Sequence, residues 1–308
     1  MSSTTKTFRM RLPATSANLG SGFDAAAVAL NFFLEIEAEA AEEFSISATG
    51  LDSELCSRLD HNLILAIYRQ ILKENRKPVQ PLAIHMQNGI PLGMGCGSSA
   101  AGRLAAIALA VHFGNLDWRP EQILEEACAL EGHPDNAAAC WLGGFVAAAN
   151  EGRKVHVARV DPPRSWRAIV ALPPDSLATS KARAVLPASY TSSDVVANIQ
   201  AVSMLGLAFA QSRGDLLRIA MQDRIHQPYR AQMCSMLPRL LPLAGSDGIL
   251  GVGLSGAGPA VLVIVDCEAD AAAASKAILA AMHGLPYPRL ITSRFEGTGA
   301  RESLHQRP

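Results

Sequence analysis

The stretch Pro91-Leu92-Gly93-Met94-Gly95-Cys96-Gly97-Ser98-Ser99-Ala100-Ala101-Gly102 constrains this chain more than any other segment. Glycines at alternate positions, Gly93, Gly95 and Gly97, permit left-handed backbone and leave amide N–H groups uncovered. Two hydroxyl residues follow, and then small side chains that let a helix pack closely. A loop that enters a helix in this way offers unpaired N–H donors and a positive dipole end, the ingredients of a polyphosphate site. It is not a Walker A loop, because no G-x-x-x-x-G-K-[ST] occurs and no lysine lies nearby. A plain flexible turn before a core helix would not need the ordered run of glycines, serines and alanines.

Around this loop the chain mixes strand-like and helix-like segments. Phe8–Leu12, Phe32–Ala40, Phe44–Ser47 and Leu82–Met86 read as strands, as do Phe145–Ala148, Val155–Val160, Ala168–Leu172 and Leu290–Phe295. Asn62–Lys73 has helical spacing, with Leu63, Ile67 and Ile71 on one face, and a small-residue helix should run from Ser98 to Val111. Asp117 as a cap and Pro120 in the first turn predict a helix towards Leu130. Ser193–Ala210, Asp215–Met221 and Ala271–Met282 read as further helices. The absence of regular βαβ alternation favours an α+β fold over a doubly wound sheet. A composition shift at Asp161-Pro162-Pro163-Arg164 divides the chain into an N-terminal domain, 1–160, and a C-terminal domain, 161–308.

Bulk properties exclude several classes. A length of 308 residues suits two packed domains, and a net charge of −1 gives no footprint for nucleic acid or an anionic membrane. No apolar run reaches spanning length, the longest being segments such as Pro259–Val265. The polar N-terminus Met1–Lys6 lacks an apolar export signal, and the six cysteines are scattered without a C-x-x-C pair. A soluble cytoplasmic protein is the expectation. Gly251-Val252-Gly253-Leu254-Ser255-Gly256 is a literal G-x-G-x-x-G, but Pro259 and an apolar strand follow it where a dinucleotide fold requires a helix.

The glycine-serine loop resembles that of the GHMP kinases, from which it departs only at Cys96, where leucine is usual. The resemblance runs from Met10 to about Arg301 and implies two α+β domains, the second ferredoxin-like, with ATP held between them. It makes Pro91, Gly93, Gly95, Gly97, Ser98, Ser99, Ala100 and Ala101 the nucleotide-binding set, with Ser99 a ligand of Mg²⁺. Glu125 is the implied second metal ligand, with neighbouring Glu126 as the alternative register. Leu254–Pro259 is similar to a third family motif that approaches the phosphate loop from the second domain.

Within the family, two stretches are most similar to the homoserine-kinase branch: Pro13–Asp24 and Glu131-Gly132-His133-Pro134-Asp135-Asn136. Alone, the first is a polar turn and the second a structural histidine in a helix start. By resemblance Asn18, Asp24 and His133 contact the amino-acid substrate and Asn136 orients its hydroxyl. Thr179 and Arg183, four residues apart, and Arg230 complete the implied site, the arginines suiting an α-carboxylate. Asp24 suits an ammonium group. The implied activity is transfer of the ATP γ-phosphoryl group to L-homoserine for threonine synthesis, with a homodimer left open. His61, His85 and His226 carry no motif context and read as structural. Cys96 reads two ways: an inward filler of the leucine position, or a thiolate activated by the loop N–H groups.

Overall fold

The computed structural model describes residues 7–305, so the N-terminal segment Met1–Lys6 lies outside the described residues. A first sheet is built from β1 (Phe8–Asn18), β2 (Gly22–Ala40), β3 (Ser45–Gly50), β4 (Leu82–Asn88), β5 (Phe145–Glu151) and β6 (Lys154–Val160). Its order is β3-β4-β2-β5-β6, with β1 paired to β2. Only the β3–β4 pair is parallel. Connecting it are α1 (Ser53–Cys56), α2 (Leu63–Glu74), α3 (Ser98–Phe113), α4 (Pro120–Glu131) and α5 (Asp135–Leu142).

A second, antiparallel sheet follows, of order β10-β7-β9-β8. It comprises β7 (Arg167–Leu172), β8 (Ile249–Leu254), β9 (Val261–Val265) and β10 (Arg289–Arg294). Its helices are α6 (Thr179–Ala184), α7 (Ser192–Ala210), α8 (Gly214–Ala220), α9 (Gln227–Arg230), α10 (Leu237–Leu240) and α11 (Glu268–Ala281). The fold is α+β, as the irregular alternation of segments predicted. The literal G-x-G-x-x-G forms strand β8 and the turn into β9, with no helix after it.

Burial explains where the elements differ from the sequence reading. Ala14–Asn18, read as a turn for its small and polar residues, continues β1 and is buried throughout. Small side chains are needed there because α3 and α5 pack directly on β1 and β2, and α5 itself brings Ala137, Ala138 and Ala139. The reversal is confined to Leu19–Ser21, where Asn18, Leu19 and Gly20 all take positive φ. β2 is likewise longer than read, 19 residues. Helix α4 begins at Pro120 as expected. Its cap is Arg119 rather than Asp117, with the Arg119 N–H donating to Gln122 Oε1 at 2.9 Å.

Helix α7 is long and apolar enough, by length and composition, to cross a membrane. The run escaped the sequence reading because Asp194, Asn198 and Gln200 interrupt it. Its buried side, Ala201, Leu205, Ala208 and Phe209, packs into the protein core, where the Phe209 ring stacks on Phe145. One apolar cluster joins Leu205, Ala208 and Phe209 to the first sheet, to Trp166 just before β7, and to Ala168 and Val170 of the second sheet.

Candidate active site

The glycine loop lies at the base of α3, and each glycine meets a requirement only glycine satisfies. Gly93, Gly95 and Gly97 have φ of 68°, 81° and 73°. A Cβ on Gly97 would lie 1.9 Å from Thr15 Oγ1, and one on Gly95 would lie 2.1 Å from the Ser255 carbonyl oxygen. The turn between β8 and β9 therefore docks against the loop, as its resemblance to the third family motif implied. Ser255 Oγ donates to the Gly95 carbonyl at 2.7 Å, and Asn18 Nδ2 donates to the Gly256 carbonyl at 2.7 Å. The Gly256 N–H reaches the Ala17 carbonyl at 3.0 Å. Strand, loop and turn are thus locked around one cavity of about 520 Å³.

Gly93, Gly95, Gly97, Ser98 and Ser99 line that cavity. Pro91, Ala100 and Ala101 do not; they are buried, and the two alanines occupy the core face of α3. Cys96 is fully buried, and burial pushes its thiol up to about 12. It fills the apolar space expected of leucine. The thiolate reading is thereby corrected: loss of solvation outweighs any help from nearby N–H groups.

The carboxylate beside Ser99 is Glu131, whose Oε2 lies 3.4 Å from Ser99 Oγ. Glu131 is the last residue of α4, at the end that reaches the cavity. Glu125 lies six residues earlier, about 9 Å back along the helix axis, and is not among the lining residues. Glu126 is paired with Arg153 at 2.5 Å. A hydroxyl and a carboxylate at a helix N-terminus, with phosphate oxygens added, make a hard oxygen set that fits Mg²⁺. Arg103 binds Glu131 at 2.7 Å and also hydrogen-bonds Ser99 Oγ, so a metal here would share both groups with a guanidinium.

At one end of the cavity the other expected residues converge: Asn18, Asp24, His133, Asn136, Thr179, Arg183 and Arg230, with Asp135 among them. Thr179 and Arg183 sit one turn apart on α6. Arg183 grips Asp24 with both nitrogens, at 2.6 and 3.0 Å. His133 Nδ1 meets Asp135 Oδ1 at 2.6 Å, and the same oxygen accepts from the Asn136 N–H at 2.6 Å. Burial pulls the His133 imidazole down, but the hydrogen bond and charge of Asp135, with Asp24 and Glu131 behind, leave it above its ordinary 6.5. Asp24, His133 and Asp135 present ligand atoms within 4.8 Å of one another. Arg183 already neutralises Asp24 and His133 pairs with Asp135, so this acidic corner suits an ammonium group better than a second metal.

Sequence reasoning did not single out Thr15, Phe23 or Asp223, and it read His226 as merely structural; these four residues are the additions the structure makes. Thr15 Oγ1 donates to Asn136 Oδ1 at 2.7 Å and fixes which way that amide points. The other three surround Arg230. Its pKa is lowered to about 10, first by burial and then by the charge of Arg183. The apolar part of the lining is Leu34, Leu55, Leu63, Met86 and Ile90, of which Leu55 and Leu63 are 57% and 40% exposed, and the polar Arg58, Asp60, His61 and Asn62 of the segment joining α1 to α2 also line the cavity. Leu63 thus faces this cavity rather than the core. The lining thus combines apolar side chains, a phosphate-type loop and a cluster of opposite charges.

Comparison with known proteins agrees with this layout. Residues 62–144 match the GHMP kinases N terminal domain and residues 207–284 the GHMP kinases C terminal. A homoserine kinase of Solibacter usitatus is 39% identical over 267 residues, 86% of this chain and 88% of that protein. A homoserine kinase of Schizosaccharomyces pombe is 33% identical over 94% of this chain and 97% of its own length. In three dimensions the crystal structure of homoserine kinase from Cytophaga hutchinsonii superposes with a TM-score of 0.81 at 24% identity, covering 97% of this chain and 98% of that one.

Proposed function

Since this chain belongs to the GHMP kinase family, we propose that it transfers the γ-phosphoryl group of ATP to the side-chain hydroxyl of L-homoserine. The product is O-phospho-L-homoserine, an intermediate of threonine synthesis. The observation that carries this reading is the pairing of Asp24 with Arg183 beside the buried Arg230, directly next to the phosphate loop. An acceptor with both an ammonium and a carboxylate group can exchange with that pair, charge for charge. A sugar or a hydroxy acid without nitrogen leaves Asp24 with nothing to bind.

In this reading the apolar part of the lining takes the adenine ring, and the N–H groups of the glycine loop and the α3 N-terminus take the phosphates. Asp24 and Asn18 receive the substrate ammonium, and Arg183 and Arg230 its carboxylate. Asn136, its amide held by Thr15 and Asp135, orients the acceptor hydroxyl. Asp135 engages His133 through Nδ1, which leaves Nε2 to exchange a proton with that hydroxyl. Thr179 lines the approach from α6. Ser99 and Glu131 would hold Mg²⁺, which supplies charge neutralisation at the transferring phosphate. Phosphoryl transfer needs mainly positioning and charge stabilisation, and these groups provide both. The free state of all six cysteines accords with a cytoplasmic setting.

The test is ADP release with L-homoserine, L-serine, L-threonine, mevalonate and galactose at equal concentration. L-homoserine should give the highest kcat/KM. Faster turnover of mevalonate or galactose would overturn the assignment.

A further inference from the structure

Among the described residues, Arg230 is a buried cation with no salt-bridge partner, although the charges of Asp24 and Asp223 reach it. It is 1% exposed, yet it lines the cavity. Its hydrogen-bond partners are the Ala182 carbonyl, accepting from Nε at 3.0 Å, and His226 Nδ1, 3.2 Å from Nη1. A guanidinium can only donate, so Nδ1 must be the accepting nitrogen of His226. The imidazole proton then sits on Nε2, which lies 2.8 Å from the Gly20 carbonyl oxygen and donates to it. Asp223 Oδ2 is farther from Nε2, at 3.6 Å, and instead accepts from the backbone N–H groups of His226 and Gln227 at 2.9 and 2.6 Å. On its face His226 stacks with Phe23, ring centroids 5.1 Å apart, and the Arg230 guanidinium lies 5.2 Å from the same ring.

His226 is itself 0% exposed. It links Gly20, in the hairpin that carries Asn18 and Asp24, to the arginine of α9. Resting on the amino-acid reading of the site, we propose that His226 is a positioning residue for the substrate carboxylate. As a neutral strut it ties Arg230 to the substrate hairpin and aims its remaining N–H groups into the cavity. Burial, aided by the positive charge of Arg230 and opposed by Asp223, the Gly20 hydrogen bond and Asp24, holds the imidazole below 6.5, in keeping with the neutral form. A protonated ring would point an N–H at a guanidinium and break the strut.

The role is separable from general support of the fold because it concerns one functional group of the ligand. Two compounds isolate it: L-homoserine, and 3-aminopropan-1-ol, which keeps the hydroxyl and ammonium but lacks the carboxylate. Their apparent affinities, as KM or as competitive inhibition constant, are measured for wild type, His226→Leu and His226→Asn. Asparagine can place an acceptor oxygen where Nδ1 stands; leucine cannot. His226→Leu should weaken L-homoserine by about 10–100-fold, the scale of a lost charge-assisted contact. It should leave ATP and the aminoalcohol within about twofold, and His226→Asn should recover most of the loss. The proposal is overturned if both acceptors weaken in parallel, if L-homoserine is unaffected, or if asparagine fails as leucine does. Should His226→Leu not fold, His226→Ala takes its place as the variant without an acceptor: a loss confined to L-homoserine and recovered by His226→Asn supports the strut, and a parallel loss or no loss overturns it. A wild type inactive on L-homoserine would refute the substrate assignment instead.

Discussion

Replacing Arg183 by alanine separates a binding role from a structural one, because the two predict different magnitudes. Arg183 and Asp24 form a bidentate pair, but their side chains are 38% and 31% exposed. Solvent screening at such exposure limits the pair to about 0–1 kcal/mol of folding stability. For a protein of this size that is a fall in Tm of no more than about 3 °C. A charge-assisted contact to a ligand carboxylate is worth about 1.5–3 kcal/mol. Binding must first open the Asp24–Arg183 pair, so the net loss in Arg183→Ala is about 1–2 kcal/mol, or about 5–30-fold in the KM for L-homoserine. The KM for ATP should stay within about twofold. Asp24→Asn should also weaken L-homoserine, and the double variant should lose more than the sum of the two, since each single change already removes the cost of opening the pair and the double variant removes that cost only once. Steady-state kinetics against both substrates, with thermal unfolding of each variant, make the comparison. An unchanged KM for L-homoserine alongside a Tm lowered by much more than 3 °C would show the pair to be structural, and the exchange argument would fail.

Glu131→Gln should raise the Mg²⁺ concentration needed for half-maximal activity by about tenfold or more, since an amide is a poor ligand for a hard cation, while Glu125→Gln should not. The reverse outcome would return the metal to the middle of α4. Under iodoacetamide at neutral pH, mass spectrometry should find Cys56, which lines the cavity, and Cys267 labelled well before the buried Cys96, with MgATP protecting Cys56 alone. Rapid labelling of Cys96 would show that the loop opens. Because the His226 imidazole lies below 6.5 in the folded protein, the unfolded chain takes up its proton first as pH falls. That contribution to stability is present above about pH 6.5 and lost below it as pH falls through the folded value, so the urea midpoint of wild type should approach that of His226→Asn between pH 7.5 and 5. His133, shifted the other way, is common to both proteins and cancels. A gap that stays constant would mean that folding does not shift the His226 pKa, and one that widens as pH falls would mean that His226 is charged in the folded protein.

The features legible in the sequence are those whose cause is local. Positive φ at Gly93, Gly95 and Gly97 demands glycine wherever the chain goes, and Pro120 suits a first helical turn in any context. Ala14–Asn18 was misread because its composition answers to α3 and α5, packed on it from more than 80 residues away in sequence; burial under helices and exposure in a turn both select small residues. The carboxylate that stands beside Ser99 was illegible for a related reason. Glu125 and Glu131 share one helix, and only the direction of its C-terminal end shows which reaches Ser99. His226 is the hardest case, since its partners are Gly20, 206 residues away, and Arg230, four residues on. The second separation carried a readable signal. In Asp223-x-x-His226-Gln227-Pro228-Tyr229-Arg230 an aspartate precedes a short helix whose first turn places a histidine under an arginine. Two groups that repel when both are charged occupy neighbouring positions there, and such an arrangement is stable only if the histidine is neutral and accepts. An arginine that has no salt bridge among the described residues, lines a cavity and is held by a neutral histidine is a site waiting for the anion that the ligand brings.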